Sequence, residues 1–359
     1  MNVLLFEDLF LSICLCLNMK QVIHLELISK YHSLLIRKTI WFLRCDIRSE
    51  QTLNHIIKHY YFKNLSIRNI NINLYMDYLK NCHTLNLSYT NVADVSAFRP
   101  VEDSALGNCH TLDLSNTKVT DVSALKNCHT LNLSYTNVAD VSALKNCHTL
   151  NLSYTKVTDV SALINCHTLY LYCTNVTDVS MLNCHTLNLS CTKVTDVSAL
   201  KNCHTLNLSG TKVTDVSALT NCHTLDLSYT KVTDVSALKN CHTLDLSWTK
   251  VTDVSALKNC YDLDLSHTKV TDVSMLNCHT LDLSHTKVTD VSALKNCHTL
   301  NISHTNVTDV SALTNCHTLN IFYTRVSDVS ALIHCHTVYG LYNTKVTDVS
   351  AFSPSKTVC

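Results

Sequence analysis

The sequence predicts a solenoid of short coils with a parallel β-sheet on one face, preceded by a small α-helical module. Three observations predict it. The pentapeptide NCHTL or a close variant recurs with its Cys at 82, 109, 128, 147, 166, 184, 203, 222, 241, 260, 278, 297, 316 and 335, and self-similarity at a fixed short period marks a stacked-repeat architecture. Within each copy the apolar residues keep fixed places that match neither a helix nor a long strand. Only 3 Gly and 2 Pro occur in 359 residues, against roughly 7% Gly and about 5% Pro in average usage, so the turns must be made by other residues.

Of the thirteen Cys-to-Cys intervals ten are 19 residues, two are 18 and one is 27. The long interval holds an insertion around Arg99 to Leu106, with one of the two prolines beside Gly107, which reads as a surface loop. Both short intervals fall where Ser-Ala-Leu-Lys becomes Ser-Met-Leu, at Met181 and Met275. The unit Cys128 to Asn146 places apolar or thiol side chains at positions 1, 4, 6, 11, 14 and 17. Positions 3 to 5 alternate as a short strand does, and the remainder is too short for a crossover helix of normal length. A unit this small cannot bury its apolar edge alone, so neighbouring units must stack, strand beside strand.

The register fits L-x-x-L-x-L-x-x-N-x-L, with Cys128 at the first Leu and Thr136 at the Asn. The repeats, from Leu79 to Phe352, therefore resemble leucine-rich repeats, and the tail V-x-D-V-S-x-L is similar to the short bacterial-type and SDS22-like forms. That resemblance implies a leucine-rich-repeat solenoid, with the parallel sheet on its inner face and tight turns or short 3-10 segments on its outer face. Fourteen such repeats of about 19 residues fill 79–352, and a short tail follows at 353–359.

Three columns invite chemistry. Asp at position 13, from Asp94 to Asp348, suits the capping of turn amides. Cys at position 1 must face the core while His at position 2 faces outward, so the two cannot converge on one zinc ion, and no metal or other cofactor is expected. The Cys column reads as small hydrophobes. His should instead form a ladder of stacked imidazoles whose pKa values are depressed by mutual repulsion, costing stability as the pH falls. Units this alike suggest recent duplication, which makes variation between them more informative than identity. Position 8, on the strand face, varies most, and position 5 is acidic without interruption at Asp226, Asp245, Asp264 and Asp282, beside Tyr229, Trp248, His267 and His285, with Asp245, Trp248 and Asp264 read as facing solvent. Aromatic anchors next to an acidic row form a docking patch for a basic segment of a target protein. The alternative is drift at solvated positions.

Residues 4–45 lack the repeat motif and read as two or three short amphipathic helices. Residues 46–78 read as a linker followed by a degenerate capping coil, with Leu65, Ile67, Ile70 and Ile72 as its apolar positions. The pattern Leu5, Asp8, Leu9, Phe10, Ile13, Leu17, Val22, Leu25, Ile28, Ser29, Lys30 and Leu35 resembles an F-box, with Phe6 where that family has Pro and His32 where it has Trp or Phe. A plain helical cap over the first coil is the alternative. The resemblance implies that Leu5, Leu9, Ile13, Leu17, Val22, Leu25, Ile28 and Leu35 bind a Skp1-type adaptor while the solenoid holds a target. The chain would then be the substrate-recognition adaptor of a cullin-type ubiquitin ligase. The repeats are also similar to those of repeat-rich F-box-like proteins of giant DNA viruses of amoebae, which would make the Skp1-type adaptor the host's.

Composition excludes other classes. Lys and Arg number 28 and Asp and Glu 28, which gives no basic surface for nucleic acid. Glu7 and Asp8 interrupt the first apolar stretch and no basic residue precedes Lys20, unlike a signal peptide. No run of about 18 apolar residues suggests a membrane span. An intracellular, cytoplasmic location is therefore expected, in a host cell's cytoplasm if the source is viral, where thiols stay reduced. A secreted adhesin is disfavoured. An enzyme is not expected, because no phosphate-binding glycine loop or nucleophile constellation lies outside the repeat columns.

Overall fold

In the computed structural model, residue 21 and residues 35–36, 40–72, 75–79, 82–98, 109–349 and 357–358 are described, within two compact units, Met1–Cys166 and His167–Cys359. The first unit contains β1 (Ile40–Ile47), α1 (Glu50–His59) and β2 (Tyr61–Ile67). β1 and β2 pair in parallel, with Cys45 opposite Leu65 and Ile47 opposite Ile67. Parallel neighbours require a crossover, and α1 supplies it. Ser49 caps the helix by accepting the Thr52 N–H at 3.1 Å, Glu50 sits in the positive first turn, and Lys58 and His59 sit in the negative last one. Leu53 and Ile56 bury its inner face.

Two expectations are corrected here. Helices were expected to run to residue 45, yet the chain is extended from Ile40, because Ile40, Trp41 and Phe42 favour strand and β2 offers a partner. Residues 50–59, expected as linker, form a helix. The degenerate coil is otherwise as read, with Leu65, Ile67, Ile70 and Ile72 all buried. After α2 (Met76–Leu79) come β3 (Thr84–Asn86), β4 (Thr111–Asp113), β5 (Thr130–Asn132) and β6 (Thr149–Asn151). They pair in parallel with Leu85, Leu112, Leu131 and Leu150 in register. The loop read around Arg99 to Leu106 lies outside the described residues.

The second unit repeats the arrangement. β7 (Thr168–Tyr170), β8 (Thr186–Asn188), β9 (Thr205–Asn207), β10 (Thr224–Asp226) and β11 (Thr243–Asp245) are followed by β12 (Asp262–Asp264), β13 (Thr280–Asp282), β14 (Thr299–Asn301), β15 (Thr318–Asn320) and β16 (Thr337–Tyr339). Every neighbouring pair is parallel, and β17 (Thr357–Val358) adds to β16. Among the described residues no helix is long and apolar enough to cross a membrane.

All six core positions read from the sequence are inside. In the unit from Cys128 they are Cys128, Leu131, Leu133, Val138, Val141 and Leu144, none more than 4% exposed. The outer wall closes in 3-10 turns such as Ser123–Leu125, Ser142–Leu144 and Ser255–Leu257. Asp at position 13 holds each turn: Ser142 donates its N–H to Asp140 at 2.9 Å, and the same bond recurs from Asp94 to Asp328. These bonds hold the carboxyls of Asp140, Asp196 and Asp234 below the usual range.

Side chains, not glycine, also turn the inner strand outward. Thr136 is buried and donates its hydroxyl to the Leu133 carbonyl at 2.6 Å, and the bond recurs in coil after coil, as in Thr230 to Leu227. The residue between them, at position 8, lies at left-handed φ: Tyr135 at 58°, Tyr229 at 56°, Trp248 at 59° and Gly210 at 68°. That conformation aims its N–H at the next coil, as in Tyr229 to the Ser247 carbonyl at 3.0 Å. Position 8, read as part of the strand face, is therefore a turn residue. The strand ends at position 5, because the turn bonds take over there.

Candidate functional site

Position 5 closes each strand and caps the turn that follows. The Asp245 Oδ1 accepts the Ser247 N–H at 2.8 Å, and Asp226, Asp264 and Asp282 do the same with Ser228, Ser266 and Ser284. Elsewhere Asn performs this task, as Asn132 does for Ser134 at 3.1 Å. The expectation that Asp245 and Asp264 simply face solvent is thus corrected: both are half-buried and bonded to the backbone.

The acidic run is nonetheless distinct from its neighbours. At its ends, Asn207 donates to Asp226 at 2.9 Å and Asn301 to Asp282 at 2.8 Å, amide against carboxylate across adjacent strands. In its middle, Asp245 and Asp264 are flanked by carboxylates only, in register on β11 and β12. Loss of water raises both pKa values, the bonds from Ser247 and Ser266 pull them down, and the neighbouring Asp charges push them up again. Asp262, at position 3 of its repeat and first in β12, joins them, paired with Thr243 and Thr280. It was missed in the sequence, although Tyr261-Asp262 is the one repeat in which His-Thr is replaced. Asp245, Asp262, Asp264 and Asp282 line a shallow groove of about 400 Å³ that continues over Thr299, Asn301 and Tyr339.

Beside the groove runs a rail of rings at position 8. Tyr229 stacks on Trp248 with centroids 5.6 Å apart, Trp248 on His267 at 3.9 Å, His267 on His285 at 4.2 Å and His285 on His304 at 4.1 Å. Tyr229 and Trp248 are at least half exposed. The left-handed backbone places one ring per coil, so rings pack at the coil spacing. His285 is held below its ordinary pKa by lost water and by His267, with Asp282 opposing. The eight residues read as a target-binding patch therefore form two parallel columns on the second unit, and His304 and Tyr323 extend the ring column.

The residues read as adaptor-binding are placed differently. Leu5, Leu9, Ile13, Leu17, Val22, Leu25 and Ile28 lie outside the described residues, while Leu35 is half-buried beside the buried Ile36. A second cavity of about 460 Å³, in the first unit, is lined by Ile56, Tyr60, Phe62, Leu65 and Leu79.

The His column stacks ring on ring within each unit. His83, His110, His129 and His148 stack in the first unit at 4.5 to 4.9 Å, and the second unit stacks His167 through His336 with Tyr261 as one rung. Lost water and then the flanking imidazoles lower the pKa of His204 and His298. The Cys column lies on the other side of the strand, buried. Burial pushes the thiols of Cys128, Cys203 and Cys241 up to about 12, and Cys147 donates to the His129 carbonyl at 3.4 Å. Among the described residues no three His, Cys, Asp or Glu are placed to hold a metal ion.

No protein-family model matches the sequence, and no curated protein does either. Solved structures do match. An internalin, InlF, of Listeria monocytogenes is similar with a TM-score of 0.61 at 22% identity, over 69% of this chain and 86% of that one. A leucine-rich-repeat protein of Leptospira interrogans reaches 0.64 at 18% identity, over 88% of this chain and 100% of that one. The chain has the leucine-rich-repeat fold. A domain of Listeria monocytogenes InlJ described as including a cysteine ladder is also similar, with a TM-score of 0.60 at 22% identity, over 77% of this chain and 66% of that one. In the leucine-rich-repeat frame, Thr136 occupies the Asn position and its hydroxyl bonds within its own coil.

Proposed function

We propose that this leucine-rich-repeat chain is a non-enzymatic binding scaffold whose second unit holds a Lys- or Arg-rich segment of a partner protein. The observation that carries the reading is the unbroken acidic row Asp226, Asp245, Asp264 and Asp282, joined by Asp262 and flanked by stacked rings. A cation arriving over Asp245 and Asp264 would offset the loss of water and the mutual repulsion that raise their pKa values. The face of Tyr229 turned toward Gly210, where position 8 carries no ring, attracts the same cations. The test is binding of an unstructured Lys/Arg-rich probe peptide, read by fluorescence anisotropy, to the full chain and to D226N/D245N/D264N/D282N. Asn keeps the turn cap, so the variant changes charge alone. Binding at least about tenfold weaker in the variant, with a steep salt dependence in the parent, is expected. Equal binding by both would refute the reading.

A finer reading is supported by the amino-terminal spacing Leu5, Leu9, Ile13, Leu17, Val22, Leu25, Ile28 and Leu35. In it the chain is the substrate-recognition adaptor of a Skp1/cullin-type ubiquitin ligase in a cytoplasm, a host's if the source is viral. Such an adaptor reacts with nothing; it raises the effective concentration of the target at the transferring enzyme. Co-purification of a Skp1-type protein with the full chain, compared with L9D/I13D, tests it. Capture by the parent alone supports the adaptor. Capture by neither, with both folded, leaves the scaffold without a ubiquitin link.

A further inference from the structure

The ring rail begins at Tyr229, and in the three coils of the second unit before it position 8 is Cys173, Cys191 and Gly210. Every other described cysteine is buried, whereas Cys191 is exposed and Cys173 half-exposed. Both stand at left-handed φ, 55° and 57°, on coils whose strands β7 and β8 pair in register. Their backbones are tied at the same height, with Cys173 N–H on the Ser190 carbonyl at 3.0 Å and Cys191 N–H on the Ser209 carbonyl at 2.8 Å. Neighbouring strands lie about 4.8 Å apart, inside the Cα separation of about 4.4 to 6.8 Å that a disulfide spans. The Cys173 side chain lies close enough to act electrostatically on the Cys191 thiol. On the far side of the pair stands Gly210, where an added Cβ would lie 3.3 Å from the Cys191 sulfur, so the glycine leaves that side chain room to rotate. The coil carrying Cys173 also departs from its neighbours at position 7, where Tyr172 replaces Ser, and the Tyr172 side chain bonds Cys191.

We propose that Cys173 and Cys191 are a redox modification site, a dithiol that closes into a disulfide between adjacent coils when met by a low-molecular-weight disulfide such as oxidised glutathione. One thiol, as thiolate, attacks the oxidant and expels one glutathione thiolate, leaving a mixed disulfide. The second thiol, losing its proton, attacks the protein sulfur of that bond and expels the other glutathione. Two protein thiols become one disulfide, one glutathione disulfide becomes two glutathiones, and the two protons pass to the leaving thiolates. Burial and the neighbouring Cys173 sulfur hold the Cys191 thiol above its ordinary pKa, and the Tyr172 bond opposes them. Cys191 is therefore a thiol at neutral pH and reacts faster as the pH rises.

The experiment incubates the full chain, folded, with oxidised glutathione, blocks remaining thiols and cleaves before Asp178, the one Asp between the two cysteines. Expected is a mass lower by two hydrogen atoms and a crosslinked fragment pair joined through Cys173 and Cys191. C173S and C191S should each lose the crosslink and instead accumulate a glutathione adduct on the remaining thiol. C184S, which removes a buried thiol of the intervening stretch, should crosslink like the parent. Two independent glutathione adducts in the parent, or a crosslink that survives C173S or C191S, would overturn the proposal.

Discussion

Replacing Asp245 and Asp264 by Asn should stabilise the protein at neutral pH, against the usual direction of substitutions at structured sites. Each carboxylate already performs a task that Asn performs in other coils, accepting the N–H two residues on. The new amides would also face the neighbouring carboxylates as Asn207 faces Asp226. What is removed is repulsion between charges on adjacent strands. At about 4.8 Å, two unit charges repel by about 1 to 3.5 kcal/mol as the effective dielectric falls from that of water to about 20. A half-exposed face belongs toward the lower end of that range. At about 2.1 cal/mol/K per residue, the 359 residues give a shift of about 1.3 °C in melting temperature per kcal/mol, so relieving the Asp226–Asp245, Asp245–Asp264 and Asp264–Asp282 contacts together should raise melting by a few degrees. The sign with pH follows from the raised carboxyls: the penalty is absent below their unfolded pKa of about 3.9 and complete above the raised folded value. Thermal melts of parent and D245N/D264N at several pH values read it directly. The gap should be widest near neutrality and close toward about pH 4. A variant that melts below the parent at neutral pH, or a gap independent of pH, would refute the electrostatic account.

Other consequences are as direct. The depressed imidazoles of His204 and His298 contribute stability that is full above about pH 6.5 and lost as the pH falls through their lower folded values, so H204Q/H298Q should flatten the pH dependence of melting on the acid side of neutrality. Thr136→Val removes the buried bond to Leu133 and should cost about 1 to 2 kcal/mol in denaturant unfolding, while Thr136→Ser should retain most of it. Gly340, at φ 83° with Phe322 backbone 2.5 Å from where a Cβ would be, should not tolerate Ala, and hydrogen exchange should show the last coil opening first in that variant.

Much of this molecule was legible because its sequence states one coil many times. Cys128, Leu131, Leu133, Val138, Val141 and Leu144 could be assigned inward from spacing alone, and Asp140 could be assigned to the outer turn, since both follow from what a coil of 19 residues must bury and cap. Local backbone choices were harder to see. Tyr, Trp and His carry no left-handed signature, so position 8 looked like strand until the φ of Trp248 and His267 placed it in the turn. α1 was hidden because its buried side comes down to Leu53 and Ile56, too few for a helical period to show. The acidic row was visible as composition, but its division into amide-paired ends and an unrelieved centre depends on which strands lie in register.

The left-handed residue has one further consequence. Its side chain leaves the molecule outward and its backbone amide alone maintains the stack, so Tyr, Asn, Cys, Gly, Trp and His all occupy the same place without altering the coil. Holding a side-chain-bearing residue there costs about 1 kcal/mol or more relative to glycine, and less for Asn. Backbone strain therefore chooses little among the ringed side chains Tyr, Trp and His. The column behaves like a row of interchangeable type in a fixed frame, where duplication supplies new blanks and partner recognition is rewritten one coil at a time while the frame stays as it was.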